Sequence, residues 1–464
     1  MTPATATLEH TMHPVLPPGP TAPWWLASLR YLRDPWGALA KAARVYGDCF
    51  TARAIGPTPF VTFSHPDAIR EIFAGHPATM SISPGRRMLL EGILGRHSLP
   101  ILDGERHLRE RRLLLPPFHG ERMRAYGEAM QAVTRDVMAA WPIGRPFPVH
   151  RAMQEVSLAV IMRTVFGFEE PARLERLREV ILRLLAMPDS ALAPFLAIPA
   201  LRFDWGGMTP WGRFLRDKAA LRAILLADVA RRRAERGGTR TDILSMLLEA
   251  RGEDGRALDD EELFDHMFTL LMAGHETTAT TLAWALWLIL PRPDVVERIR
   301  VGATAAAAGG PLTPEAGGRL EYLDAAIKET MRLCPVVTVV DRHLLVPTRI
   351  GGWDLPAGTD VAACIYLTHR RPQLWPEPER FLPERFLGAR TSPQAYYPFG
   401  GGDHRCLGAA FATYEMRIVL AEVLTRAELR LAPGYHARPV LRAVTVGPSR
   451  GMPVVLTRRL GGSS

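Results

Sequence analysis

One cysteine carries the chemistry of greatest consequence in this sequence. Cys406 lies in "PFGGGDHRCLGAA" (398–410), behind three consecutive glycines and ahead of "AAFATYEMRIVLAEVLTRA" (409–427), which has helical spacing. Glycine loses the most backbone freedom on ordering, so Gly400, Gly401 and Gly402 fit a place where the backbone passes close to something flat and bulky. The following helix points free amides and a partial positive charge at the sulfur. That setting is expected to lower the thiol's pKa, and the thiolate is the form that binds metal. Cys49, Cys334 and Cys364 are scattered, with no CxxC among them. Neither a zinc site nor a disulfide framework is indicated, and a reducing, cytoplasmic setting fits best. A solitary thiolate suits an iron whose equatorial ligands come from a porphyrin. The bland alternative, a structural cysteine beside a glycine turn, loses to the joint pattern F-x-x-G-x-x-x-C-x-G at Phe399, Gly402, Cys406 and Gly408.

That pattern resembles the heme-binding loop of the cytochrome P450 family. The resemblance implies that Cys406 is the axial thiolate of heme b (iron protoporphyrin IX) and that Phe399 packs beneath it near the sulfur. It also implies that His404 reaches a heme propionate. Three further segments match in the right order. "KETMRLCP" (328–335) places Glu329 and Arg332 on one helical face, where opposite charges pair, and "FLPERF" (381–386) resembles the family's meander motif. In that match Arg385 joins Glu329 and Arg332 in a buried network that braces the cysteine loop.

"LMAGHETTATT" (271–281) sets polar groups inside an apolar helix, which is costly unless they are satisfied or used. It matches the family's oxygen-activation pattern, which implies room at Ala273 and Gly274, a hydrogen bond between Thr277 and dioxygen, and proton relay by Glu276. Cleaving O–O heterolytically needs two protons in a dry pocket, and a hydroxyl with a mobile carboxylate can supply them. The thiolate opposite pushes electron density towards the same cleavage. In "GERHLRERRLLLPPFHGERM" (104–123), His107 and Arg111 share a helical face and resemble the pair that holds the heme propionates; Arg342 matches a further propionate-binding arginine.

The elements that must position these groups are mostly helical. From 105 to 335 the pattern is almost wholly α, with breaks at 141–148, 187–194, 203–212 and 251–260. A β pair is expected over 49–66, interrupted at Gly56 and Pro57, and short β runs over 336–363. A Pro-rich meander follows at 372–398, and "VTVGPSRGMPVVLTRR" (444–459) reads as a C-terminal β hairpin. The fold class is mainly α with a small β region; the resemblance implies the cytochrome P450 fold, a long central helix over heme, in one domain spanning 1–464 after an extended lead-in of about 1–20. The wording of 109–123, with the "LPPGP" start, looks nearer bacterial members similar to the cyanobacterial branch that oxidises fatty acids and terpenes.

Composition sets the outer limits. With 47% hydrophobic and 23% charged residues the chain can bury a large core. Lys and Arg exceed Asp and Glu by 57 to 48. No nucleic-acid motif accompanies the excess, and its densest run, "RRRAERGGTR" (231–240), reads as a solvated helix end. The N-terminus lacks a signal-peptide core, and the apolar stretch 269–290 carries His275 and Glu276, which lipid would penalise. Neither a membrane anchor nor an appended flavin or NADPH domain is expected.

The resemblance therefore implies a monooxygenase that uses dioxygen and receives electrons from ferredoxin and ferredoxin reductase, drawn to arginines near Arg405, Arg111 and Arg112. Substrate contacts are expected from Ala273, Val337, Val339 and an apolar loop at 81–102 with Met88, Leu89, Leu90, Ile93 and Leu94. A lipophilic compound of secondary metabolism, such as a fatty acid, terpenoid or polyketide, suits such a lining. The alternatives are a heme-thiolate peroxygenase or isomerase, which the Glu276–Thr277 pair argues against, and a non-catalytic heme sensor.

Overall fold

The computed structural model describes residues 16–53, 58–118, 122–168, 171–186, 201–235, 240–388, 391–442 and 444–460. Residues 1–15 of the lead-in, the Gly56–Pro57 interruption and the break at 187–194 lie outside the described residues.

Two helices, Trp24–Arg33 and Pro35–Tyr46, lead into the antiparallel pair β1 (Cys49–Ala52) and β2 (Phe60–Phe63). Alternating Phe, Val and Thr suit a pleated, packed face. Next come α1 (Pro66–Phe73), started by a proline where the missing N–H costs nothing, and β3 (Met80–Ser81). The expected loop at 81–102 is a helix over much of its length: α2 (Pro84–Leu94) opens on Pro84 and stops at Gly95, whose φ is +107°. Gly85, Gly92 and several charges hide the helical period there.

Further along run α3 (Gly104–Leu114), α4 (Val149–Ile161), α5 (Pro210–Ala234), α6 (Asp260–Ile289) and α7 (Glu321–Leu333). Strands β4 (Val339–Leu344) and β5 (Asp360–Cys364) then complete a sheet ordered β1-β2-β5-β4-β3, parallel only between β2 and β5. α8 (Ala409–Arg426) follows the cysteine loop.

α6 is the spine. It starts in a capping box, Asp259 with Glu262, and its 30 residues span about 45 Å. Phe268, Leu282 and Trp284 are buried in one core with Met153, Val156 and Val160 of α4 and Val419 and Leu420 of α8. Each such side chain is worth about 1.5–3 kcal/mol when removed from water. Among the described residues no helix is long and apolar enough to cross a membrane.

Two expectations need correction. Thr445–Pro448 and Pro453–Arg459 do not pair with each other: the first pairs with Pro439–Arg442, the second with Ala427–Leu431 and Pro146–Pro148. Arg450, Gly451 and Met452, all at positive φ, redirect the chain between the two sheets. The run 231–240 is also more than a solvated end, because Arg232 is buried and donates to Asp228, Asp242 and the Phe166 carbonyl. Residues 236–239 of that run lie outside the described residues.

Candidate active site

Cys406 lies between a short turn, Gly402–His404, and α8. Its amide donates to the Phe399 carbonyl at 2.9 Å, and the Arg405 amide donates to Gly402 at 3.1 Å, so the loop closes on itself. The glycines are needed for two separate reasons. Gly400 and Gly402 have φ of +71° and +64°, the left-handed region that side chains disfavour. A Cβ on Gly401 would lie within 2.7 Å of three Phe73 ring atoms, and one on Gly402 would overlap the Phe73 carbonyl oxygen. The bulky neighbour the glycines admit is thus the end of α1. On the other side a Cβ on Gly408 would meet nothing within 4 Å.

Cys406 itself is open, although α8 behind it is deeply buried. Desolvation by the neighbouring loop pushes the thiol's pKa up, while the Gly408 amide and the charges of Arg111 and Arg405 act to lower it. For the chain alone the net direction is upward, opposite to the lowering expected, with the side chain open to solvent. A bound metal reverses that balance, since a coordinating thiol is deprotonated outright.

Behind the loop, Arg332 and Glu329 pair at 2.6 Å and 2.8 Å, both fully buried, and Arg385 reaches Glu329 at 3.3 Å. Buried charges destabilise unless their hydrogen-bonding capacity is used. Here Arg332 also donates to the carbonyls of His369, Pro378 and Arg380. His369 carries the brace forward: the Tyr397 amide donates to its Nε2 at 3.0 Å, and the Gly400 amide donates to the Tyr397 carbonyl at 2.9 Å. Burial, with Arg332 and Arg370 nearby, holds His369 neutral with its pKa down at about 3. No motif in the sequence marks His369.

Four cationic or ionisable groups converge beside the loop. His107 of α3 stacks on His404 with ring centres 4.0 Å apart. Arg342 of β4 reaches the Gly401 carbonyl at 3.4 Å, and Arg111 lies close enough to Cys406 for their charges to interact. Burial first, then the neighbouring arginines, brings His107 to about 4 and His404 to about 2. Burial and Arg86 bring Arg342 to about 10. Among the described residues no carboxylate is within ion-pair distance of Arg111 or Arg342. Asp103, 3.6 Å from His404, is already shared with Arg87 and the Ile82 amide. The buried Arg342 and the half-buried Arg111, neither in an ion pair among the described residues, form with two neutral imidazoles a donor set that fits the paired carboxylates at a heme edge. Among the described residues no three His, Cys, Asp or Glu side chains converge to hold a metal ion, so an iron at Cys406 would take its other ligands from a bound group.

Within α6 there is an open turn. Ala273 is exposed although Leu271 and His275 are buried, and Thr277 is half-buried. The Thr277 hydroxyl donates to the Ala273 carbonyl at 2.7 Å, which leaves its oxygen free to accept. Glu276 turns towards α4: it accepts from Gln154 at 2.7 Å and from Thr280 at 3.0 Å, with His150 Nε2 at 3.4 Å. Burial alone would raise its pKa, but His150, Gln154 and His275 outweigh that and bring it to about 2. Glu276 and Thr277 are neighbours in sequence and have separate partners in space. His150 and Gln154 went unread because nothing in "VHRAMQEVS" marks them.

The substrate candidates divide. Leu90 and Ile93 pack against the main core and Leu94 is buried, whereas Met88 is 59% exposed and lines a cavity with Ser81, Pro84 and His343. Val337 and Val339 are half-buried beside the smaller sheet clusters. Arg202 and Lys218 donate to the Leu89 and Ile93 carbonyls at 2.9 Å and 2.7 Å, capping the end of α2. Of the expected basic face, Arg405 is exposed, while Arg112 pairs with Glu253 at 2.7 Å.

The sequence model of the family described as Cytochrome P450 matches residues 17–453. Cytochrome P450 135B1 of Mycobacterium tuberculosis is 42% identical over 438 residues, 94% of this chain and 90% of that protein. Cytochrome P450 135A1 of the same organism is 34% identical over 466 residues, 98% of each. Among solved structures, cyanobacterial CYP120A1 bound to retinoic acid superposes with a TM-score of 0.81 at 26% identity, covering 96% of this chain and all of that one. The heme domain of cytochrome P450DA gives 0.82 at 24% identity, covering 96% and 98%, a likeness of fold.

Proposed function

The chain belongs to the cytochrome P450 family, and from that premise we propose that this heme-thiolate monooxygenase hydroxylates or epoxidises a lipophilic small molecule. In this reading it works in the cytoplasm as one domain, with electrons from ferredoxin and its reductase. Heme, when bound, supplies the iron at which dioxygen is reduced and its O–O bond broken. Cys406 would ligate that iron, with Phe399 and Gly402 shaping the loop beneath and Gly408 leaving room beside it. Arg111, Arg342, His107 and His404 would hold the propionate edge.

The observation that carries the reading is the open turn of α6. Ala273 leaves space there, and the Thr277 oxygen can accept one hydrogen bond while its O–H donates to the Ala273 carbonyl. Glu276, ionised against His150 and Gln154, is a proton carrier that can exchange partners to serve that turn. An apolar substrate excludes water from it, which favours ordered proton delivery. Leu89, Leu90 and Ile93 of α2, with Val337 and Val339, are candidates for its lining. CYP120A1, seen with retinoic acid, offers a lipophilic precedent at the level of a relative.

The test is a binding screen by heme spin-state shift across fatty acids, terpenoids and polyketides, followed by turnover of the best ligand with ferredoxin, reductase and NADPH. Low-to-high-spin shifts with apolar compounds and an oxygenated product are expected. Shifts confined to polar compounds would overturn the substrate class.

A further inference from the structure

We infer that Phe73, at the last position of α1, is a positioning residue for the thiolate loop. Its ring would set where Gly401 and Gly402 run, and thereby where Cys406 presents its sulfur. Three observations converge on it. Both glycines approach Phe73 so closely that neither admits a Cβ: Gly401 meets the ring and Gly402 the carbonyl. From the opposite strand, Arg342 reaches the Gly401 carbonyl at 3.4 Å, and a Cβ on Gly400 would sit 3.6 Å from the Val340 side chain. The segment is therefore gripped between α1 and β4. Phe73 is itself held, packing edge-on against Tyr397 with ring centres 5.2 Å apart. Tyr397 hydrogen-bonds Thr368 at 2.7 Å through its hydroxyl and His369 through its amide.

A shift at Gly401 or Gly402 has a short path to the sulfur. Gly402 accepts from the Arg405 amide and Phe399 from the Cys406 amide, so the two glycines lie inside one closed loop. Close-packed groups transmit such displacements because they have little free volume to absorb them. A methyl group in the wrong place should raise or tilt the ligand, and loss of the ring should loosen it.

Size exchange separates this role from general packing. Gly401→Ala should lose most of the thiolate-type Soret band in the reduced, CO-bound protein and shift the heme midpoint potential. Adding Phe73→Ala makes room for the new methyl group and should restore much of both signals. Phe73→Ala alone should shift the potential, and Phe73→Leu, which keeps an apolar body against the loop, should return it towards the parent value. Heme content and thermal melting of each variant establish that it is folded.

A Gly401→Ala protein with parental spectrum and potential overturns the inference. So does a double variant no better than Gly401→Ala when both are folded. Should Gly401→Ala fail to fold, the Phe73 pair decides: a shifted potential in Phe73→Ala with recovery in Phe73→Leu supports the role, and an unchanged potential in Phe73→Ala rejects it.

Discussion

The cysteine loop and the Ala273–Thr277 turn of α6, which the proposed function joins in one site, are held very differently. Around Cys406, backbone bonds link Phe399, Gly402, Arg405 and Tyr397, Phe73 crowds two glycines, and a buried arginine anchors the segment behind. On α6, Ala273 is bare, Thr277 rests on a carbonyl of its own helix, and Glu276 rests on side chains of α4. A ligand to iron must be delivered at one distance and angle, which backbone packing does well. Groups that move protons must change partners, and single side-chain hydrogen bonds of about 1 kcal/mol net permit that.

The largest expected effect contrasts the two sides directly. Arg332→Ala takes two hydrogen bonds from the buried Glu329, leaving it only Arg385 and the Leu382 amide, and should cost about 3–5 kcal/mol, measured by denaturant unfolding, with poor heme loading. Thr277→Ala should cost only about 1 kcal/mol by the same measurement. Similar losses for both would erase the contrast.

Next in size is coupling. Thr277→Ala should cut the share of NADPH electrons that end in product by an order of magnitude, with the CO-bound spectrum unchanged. Unchanged coupling would remove the hydroxyl from the proton path and leave the turn merely spacious.

Acid should reach the two sides at different pH. His369 has its pKa depressed by folding from 6.5 to about 3, so the neutral form stabilises the fold fully above 6.5. That contribution drains away as pH falls towards about 3. Glu276 is depressed from 4.5 to about 2, so its contribution is whole above 4.5 and is lost only as pH falls towards about 2. Between pH 6.5 and 4.5 the brace behind the cysteine should weaken first. His369→Gln keeps an acceptor for the Tyr397 amide without titrating and should reduce the slope of the thermal midpoint across that window, leaving the share that His107 and His404 contribute. An unaltered slope would place the acid sensitivity elsewhere.

The smallest effect concerns the outer face. Arg405→Gln should slow electron delivery from an acidic ferredoxin by a small factor at low salt, with the difference fading as salt rises. Arg112→Gln should do less, because Arg112 already shares an exposed ion pair with Glu253. Equal effects would show that this pair opens on docking.

What could be read from the sequence follows the same division. The network of Glu329, Arg332 and Arg385 was legible because geometric demands write residue types into short motifs. The β pair at 49–66 and the long α6 were legible from alternation and from an unbroken apolar run. Phe73, His369, His150 and Gln154 were not, since each acts across a tertiary contact with a segment distant in the chain. In the sequence α2 looks like a loop because its glycines and arginines blur the period, although Pro84 and Gly95 mark its ends. The glycines of the cysteine loop show the limit best. Their number signalled a close approach, and only the fold identifies Phe73 as the residue approached.

The most direct test of the whole arrangement is the absorption of the reduced, CO-bound protein beside that of Cys406→Ser. The parent should show the red-shifted Soret band of thiolate-ligated heme, and the variant should lose it while its circular dichroism stays native. A parent band at the imidazole position, or a thiolate band that survives in Cys406→Ser, would contradict Cys406 as the iron ligand.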